Sequence, residues 1–223
     1  MKTSARLYKS VNTIWDSYYR HPFIKGMADG SLKVDKFKFY MIQDYIYLLD
    51  YVKIYALGIV KAKDERTMQG FSKMVDNILN GEMDIHRSYM RRLGITRKDI
   101  ENTEASMENI SYTNYMLSVS QLGDLTDLTA SLLACMWSYF LIGSKLSKIK
   151  GAVENNFYGQ WIRGYSSKDY ERETKWLIDL IDRLTVNISE NKFKELEKIF
   201  INTSKYESMF WDMAYNKDRK SVV

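Results

Sequence analysis

The sequence has few of the residues that punctuate an all-β fold. One proline and eleven glycines in 223 residues leave too few turn positions for many short strands. The lone cysteine, Cys135, cannot form an intrachain disulfide, which fits a reducing compartment. No apolar stretch follows Lys2, so the first residues lack the pattern of a secretory signal. These shortages favour a helical protein that folds without disulfides.

The excess of one sign of charge is also small. The 33 basic and 28 acidic residues are interleaved and leave a formal net charge of only +5, which gives little support for nucleic-acid binding. A charge-free run from Leu128 to Ser144 is close to the lower limit of a membrane span, ~17–25 residues. Because polar side chains interrupt it and acidic residues precede it, we expect a buried core helix. Neither a nucleic-acid partner nor a membrane partner is expected.

Histidine is too rare for the metal sites that helical bundles commonly hold. A di-iron centre needs two Glu-x-x-His pairs, whereas Glu82 and His86 are spaced four apart and have no second copy. The sequence also has no zinc ligand set, no phosphate-binding loop and no nucleotide-binding glycine pattern. We therefore expect no metal and no cofactor.

Apolar residues recur at helical spacing along the chain, and no linker divides it, so the sequence predicts a single-domain all-α bundle over residues 1–223. Thr3 or Ser4 is expected to cap the first helix, which must end before Pro22. The other predicted segments are 23–27, 35–63, 65–93, 106–122, 125–150, 157–164, 168–187 and 192–215. The helix over 35–63 is apolar on nearly every face and is placed at the centre, whereas 65–93 is amphipathic and predicted to lie outside.

One acid interrupts the apolar surface of the central helix. Asp44, Tyr47 and Tyr51 are spaced three and seven apart, which places them on one stripe. An acid beside two phenols suggests a polar pocket lined by aromatic rings. A structural hydrogen-bond network or a partly exposed edge explains the same pattern, and periodicity alone favours these structural interpretations.

The lone cysteine also has two interpretations. Cys135 and Tyr139 lie one turn apart on the same face of an apolar helix. A buried cysteine is usually an inert small side chain, and a catalytic one commonly needs a histidine. His21 is at a helix end, and His86 is predicted on the polar part of its helix, so neither is an obvious partner. Spacing alone favours a structural Cys135.

Five sequence blocks together resemble the TenA/thiaminase II family over essentially the whole chain. The blocks are HPFIKGMADGSL at 21–32, FYMIQDYIYLLDYVK at 39–53, SYTNYMLSVSQLGDL at 111–125, LLACMWSYFLIG at 132–143 and SKYESMFWDMAY at 204–215. The resemblance implies a haem-oxygenase-like helical bundle that forms a cytoplasmic homotetramer. It also implies hydrolysis of thiamin or of 4-amino-5-aminomethyl-2-methylpyrimidine at the pyrimidine methylene, which releases the hydroxymethylpyrimidine for thiamin salvage.

The resemblance also implies roles for seven residues. Asp44 matches the acid that binds the amino edge of the pyrimidine, and Tyr47 matches the aromatic residue that stacks on the ring. Tyr112, Tyr139 and Tyr165 match tyrosines that fix the ring, the sulfur and the departing group. Cys135 matches the nucleophile and Glu207 the proton donor, which changes the interpretation of Cys135 from structural to catalytic. The alternatives are a non-catalytic pyrimidine-binding or regulatory protein and, less well supported by the ligands present, a haem or di-metal oxygenase.

Overall fold

The computed structural model describes residues 1–154 and 156–217, and this part of the chain contains helices and no β-strand. Its α-helices are α1 (Thr3–Tyr18), α2 (Pro22–Asp29), α3 (Val34–Lys61), α4 (Glu65–Asn77), α5 (Met83–Arg92), α6 (Arg97–Glu101), α7 (Met107–Leu122), α8 (Leu125–Leu146), α9 (Gly159–Tyr165), α10 (Lys168–Leu184) and α11 (Glu190–Asn216). A π-helical turn, Ile78–Glu82, joins α4 to α5. The predicted all-α class is confirmed, whereas the single-domain boundary of 1–223 stays a prediction.

Helix boundaries follow local capping chemistry, with one predicted cap misplaced. Serine hydroxyls accept backbone N–H groups at the starts of three helices, namely Ser106 for α7, Ser167 for α10 and Ser189 for α11. The expected cap by Thr3 or Ser4 is wrong, because α1 already begins at Thr3. Ser4 instead donates its backbone N–H and its hydroxyl to the two carboxylate oxygens of Asp182, each at 2.8 Å. These bonds attach the start of α1 to α10.

Helices α3 and α8 lie in the middle of one large hydrophobic cluster. α8 packs against α7, α9, α10 and α11, which accounts for its apolar composition. It is long and apolar enough to cross a membrane, but 72% of its most apolar stretch is buried by other helices, as expected for a core helix. α3 is less completely enclosed than its composition predicts, since Leu49 is 40% exposed and Val60 79% exposed.

The predicted outer helix over 65–93 is interrupted. Buried positions on α4 recur at spacings of three and four up to Ile78, and the next buried residue is Met83, five positions later. A π turn accommodates such an extra residue and rotates the following helix relative to the preceding one. The prediction that His86 lies on the polar face is therefore wrong, because its side chain is fully buried.

Several predicted ends also differ from the structure. Residues 97–101 form a short helix inside the predicted connection, with a capping box between Thr96 and Asp99. α8 ends at Leu146 and α10 at Leu184, both earlier than periodicity predicts, whereas α11 begins two residues earlier. Apolar residues continue at helical spacing after α8, where the chain forms turns, and after α10, where a short connection leads to α11. Periodicity therefore predicts helices that are longer than the hydrogen-bonded ones.

Candidate active site

Seven buried side chains from five helices make up the site that the resemblance predicts. None of these residues is more than 7% exposed. They are Asp44 and Tyr47 on α3, Tyr112 on α7, Cys135 and Tyr139 on α8, Tyr165 at the end of α9, and Glu207 on α11. Residues distant in sequence therefore meet in the interior of the bundle, where acidic, phenolic and thiol groups are shielded from water.

Glu207 is the acid best placed to hold a proton at neutral pH. The Tyr112 hydroxyl donates to its Oε1 at 2.7 Å. Burial raises the pKa of Glu207 to about 8, assisted by the charge of Asp44 and opposed by hydrogen bonds with Tyr112 and Cys135. A carboxylic acid with this pKa is mostly protonated at pH 7 and can donate to a ring nitrogen.

The Cys135 thiol is also expected to be protonated. Burial raises its pKa well above the ordinary value, and the nearby charge of Glu207 adds to this shift, whereas a hydrogen bond with Tyr47 partly offsets it. Cys135 must therefore lose its proton as it attacks, rather than wait as a thiolate. Once the neighbouring Glu207 has given its own proton to a substrate, its carboxylate can receive the thiol proton.

Aromatic rings form two walls of the site. Tyr47 stacks with Tyr51 at 5.2 Å between ring centroids, and it packs against Tyr112 at 5.3 Å. In the second wall, Tyr139 packs against Tyr165 at 5.0 Å and against Trp211 at 5.1 Å. Such surfaces suit a flat heteroaromatic ligand.

Asp44 has a partner that the sequence reasoning missed. His86 Nε2 lies 2.7 Å from Asp44 Oδ2, and His86 Nδ1 lies 3.1 Å from the main-chain oxygen of Glu82. Because a main-chain oxygen only accepts, Nδ1 carries a hydrogen. Burial opposes the charged imidazole, but the hydrogen bond and charge of Asp44 outweigh it and raise the pKa of His86. The pair is best described as a carboxylate beside an imidazolium that fixes one of the two Asp44 oxygens.

Glu82 is a second residue that the sequence reasoning did not assign to the site. The Tyr165 hydroxyl donates to its Oε1 at 2.7 Å. The residue is half-buried, and its carboxyl group is densely surrounded by protein atoms. Burial therefore raises the pKa of Glu82 to about 7, opposed by Tyr165 and His86 and assisted by Asp44 and Glu173.

The i, i+4 spacing of Glu82 and His86 is visible in the sequence, but their orientation is not. In a continuous helix Glu82 would follow Ile78 by one turn, on the buried side of α4, whereas His86 would lie about a quarter-turn away from the buried positions. Asn80 and Gly81 immediately before them are poor helix formers and are the available signal of a break. The π turn then directs both residues toward α3 and α9.

Within the described residues, no group of three or more His, Cys, Asp or Glu side chains has the arrangement to hold a metal ion. The acids and the histidine of the site are instead engaged with one another and with tyrosines. The expectation of no metal and no cofactor stays a prediction.

Comparison with known proteins identifies the family of this chain. The model of the TENA/THI-4/PQQC family matches residues 8–217. The chain belongs to this family. It is 47% identical over 215 residues to the aminopyrimidine aminohydrolase of Helicobacter pylori, covering 96% of this chain and 99% of the relative. It is 46% identical over 217 residues to the aminopyrimidine aminohydrolase of Halalkalibacterium halodurans, covering 97% of each.

Solved structures of similar proteins share the fold. A TenA homologue from P. horikoshii OT3 superposes with a TM-score of 0.88 at 26% identity, covering 98% of this chain and all of the other. A domain of unknown function with a heme oxygenase-like fold from Shewanella denitrificans superposes with a TM-score of 0.76 at 16% identity, covering 96% of this chain and 92% of the other. The predicted haem-oxygenase-like bundle is therefore confirmed.

Proposed function

We propose that this protein is an aminopyrimidine aminohydrolase that cleaves the C–N bond at the pyrimidine methylene for thiamin salvage. The observation that carries the proposal is the buried Cys135 beside Glu207, which can hold a proton at neutral pH, among packed aromatic rings. The names of the two similar bacterial relatives support the same activity. The substrate class is a small aminopyrimidine, either the aminomethyl compound or thiamin.

The first step joins the enzyme to the ring. Asp44 accepts hydrogen bonds from the amino edge, and Tyr47 stacks on the ring. Glu207 protonates the ring nitrogen, which makes the adjacent ring carbon electrophilic. The Cys135 sulfur bonds to that carbon and returns its own proton to Glu207, so the step moves one proton from sulfur to the ring without net change in charge.

The second stage exchanges the amine for water. Electrons from the amino-substituted ring form an exocyclic double bond to the methylene, and the C–N electron pair leaves with the nitrogen. Water then bonds to the methylene carbon, and its surplus proton passes to the departing amine. Loss of the sulfur with its electron pair, and of the ring-nitrogen proton, restores the pyrimidine and the Cys135 thiol. Tyr112, Tyr139 and Tyr165 hold the ring, the sulfur and the departing group in place.

The second candidate function is binding of a pyrimidine without cleavage. Asp44 and the aromatic walls alone suffice for that, whereas Cys135 and Glu207 are needed only for chemistry. The test incubates the purified protein with thiamin and, separately, with the aminomethylpyrimidine, and follows the hydroxymethylpyrimidine by chromatography. Release from either substrate supports the hydrolase, and tight binding without release supports the binding protein.

A cytoplasmic homotetramer is proposed with this function. The lone cysteine supports a reducing compartment, and the abundance of tyrosine and methionine suits an interface as well as a core. Light scattering at micromolar concentration is expected to give about four times the 26.3 kDa chain mass. A mass near that of one chain would rule the tetramer out. The lack of nucleic-acid and membrane partners stays a prediction.

A further inference from the structure

The pocket contains one carboxyl group that the proposed reaction does not use. Asp44 is paired with His86, and Glu207 holds a proton beside Tyr112. Glu82 accepts a hydrogen bond from Tyr165, but no lysine or arginine of the described residues forms an ion pair with it. A carboxylate surrounded by protein is costly unless a cation pairs with it, and the nearby His86 imidazolium is bonded to Asp44 instead. Glu82 is therefore the carboxyl group of the site that a bound cation would stabilise most.

Glu82 contacts residues that lie next to the nucleophile Cys135. Its Tyr165 partner packs against Tyr139, and Tyr139 lies one helical turn from Cys135 on α8. The π turn also brings Glu82 close to the Asp44–His86 pair, because the Glu82 main-chain oxygen contacts His86. The charge of Glu82 contributes to the raised pKa of Cys135, and the charge of Asp44 contributes to the raised pKa of Glu82. Glu82 thus lies near both Asp44 and Cys135.

The chemistry of the ring indicates which substituent points to that side. In an aminopyrimidine whose amino group faces Asp44 and whose attacked carbon faces Cys135, the ring carbon between those two positions carries the aminomethyl group. Glu207 faces the ring nitrogen beyond the attacked carbon. The aminomethyl group of a substrate held in this way would project between Asp44 and Cys135, the two residues that Glu82 lies near.

We propose that Glu82, with the Tyr165 hydroxyl bound to it, holds the protonated aminomethyl group and makes the enzyme select a primary ammonium. This inference rests on the proposed hydrolase function. An ammonium offers three N–H donors and a charge to a carboxylate and a phenol oxygen. A hydroxymethyl group offers one donor and no charge, and the quaternary thiazolium nitrogen of thiamin has a charge but no N–H. Glu82 distinguishes these three substituents on one ring.

The same contact assists cleavage. A substrate bound as the ammonium breaks its C–N bond with the electron pair on nitrogen, so that the leaving group is neutral ammonia. The surplus proton of the water that adds to the methylene then passes to this ammonia. Ammonium is regenerated beside Glu82 and departs. The net change is ammonium substrate plus water to alcohol plus ammonium ion, which balances in atoms and charge.

Binding to a protein that cannot turn over isolates this role. Calorimetry on Cys135→Ser protein compares the aminomethylpyrimidine with the hydroxymethylpyrimidine, which has nearly the same shape but no charge. We expect the amine to bind at least ~30-fold more tightly, in line with a charge-assisted pair. Adding Glu82→Gln should remove at least tenfold of that preference and change the alcohol affinity less than threefold. Tyr165→Phe should remove a smaller part of it.

Glu173→Gln is the matched control. Glu173 is another carboxylate that raises the pKa of Glu82, but its hydrogen bond is to Asn77 and not to Tyr165. The preference of this variant for the amine should stay within threefold of the parent. Equal weakening of amine and alcohol by Glu82→Gln would show a structural role and overturn the proposal. An unchanged preference would overturn it as well. Failure of the parent protein to bind either pyrimidine would instead refute the proposed function.

A measurement without any Glu82 substitution covers the case in which that variant does not fold. Asp44, His86, Tyr165 and Glu173 face Glu82 from four helices, and together with burial they give it a pKa of about 7. An ammonium bound beside it favours its ionised form, so amine binding at pH 7 should release protons. Calorimetry in buffers of different ionisation enthalpy should detect this release for the amine and not for the alcohol. The same proton balance for both ligands would contradict the proposal.

Discussion

The core helices α3 and α8 and the segment from α4 to α5 contribute to the same pocket in different ways. α3 and α8 are continuous, so the neighbours of Asp44 and Cys135 on each helix follow from spacings of three and four. Between α4 and α5, a π turn inserts one residue and changes which face is buried. The first pair carries the nucleophile Cys135 and the ring-binding residues Asp44 and Tyr47. The second supplies Glu82 and His86, which hold the pocket residues Tyr165 and Asp44.

The largest expected effect comes from the continuous helices. Cys135→Ser should reduce turnover by roughly 10³-fold or more, because a hydroxyl without a general base is a poor nucleophile. Glu207→Gln should cause a similar loss, since an amide cannot transfer the proton. The double variant should be little worse than either single variant, because the two groups act as one unit. Steady-state kinetics with the aminomethylpyrimidine measures all three.

Product binding is the control for that prediction. Both single variants should bind the hydroxymethylpyrimidine within about tenfold of the parent, since the aromatic walls and Asp44 remain. Near-normal hydrolysis by a folded Cys135→Ser protein would refute covalent catalysis. Glu207 would then have to activate water directly.

Sequence reasoning reached the all-helical class because apolar spacing reports which faces are buried. It could not orient His86, because the residues from Met83 to Arg92 keep a helical pattern of their own and only their phase relative to α4 changes. The identity of Cys135 and Glu207 as a pair came from resemblance, since 72 residues separate them in the chain and periodicity acts only within a helix. Tertiary packing is the information that a single sequence lacks.

The interrupted segment is tested by His86→Gln. Removal of the imidazolium leaves the Asp44 carboxylate buried without a charged partner, so the free energy of unfolding should fall by roughly 3 kcal/mol. Affinity for the hydroxymethylpyrimidine should fall about tenfold, because Asp44 is no longer held in place. Chemical denaturation and calorimetry measure the two effects. His21→Gln is the matched control, since the partner of His21, Asp212, is 67% exposed. This variant should lower the free energy of unfolding by about 1 kcal/mol or less.

The pH dependence of that loss has a definite sign. The folded-state pKa of His86 is raised above its ordinary value of 6.5, so protonated His86 stabilises the fold fully below that value. The stabilisation disappears as pH rises through the folded-state pKa. The stability gap between parent and His86→Gln should therefore narrow at alkaline pH. A constant gap would argue for a neutral imidazole.

A further pH effect is expected from the titration of Glu207. Its pKa is about 8 in the folded protein against an ordinary 4.5, so the folded state holds a proton that the unfolded chain lacks between these values. The free energy of unfolding should fall as pH rises through this window. Affinity for the hydroxymethylpyrimidine should also fall roughly tenfold above pH 8, because the ring nitrogen loses its donor. Glu207→Gln should flatten both profiles, and a parent affinity that stays constant from pH 6 to 9 would contradict the assignment.

The smallest effect distinguishes two causes of the π turn. A Cβ at Gly81 would meet no atom within 4 Å, and the residue does not adopt a positive φ. Gly81→Ala should therefore stabilise the protein by about 0.5–1 kcal/mol, seen as a rise in Tm of roughly 1–4 °C. Gly70→Ala is the contrast and should destabilise the protein, because the added Cβ would overlap the ring of Trp176. If packing of Met83 and His86 maintains the π turn, Gly81→Ala leaves product affinity unchanged. If glycine flexibility maintains it, α5 rotates, the Asp44–His86 contact is lost, and product affinity falls as in His86→Gln.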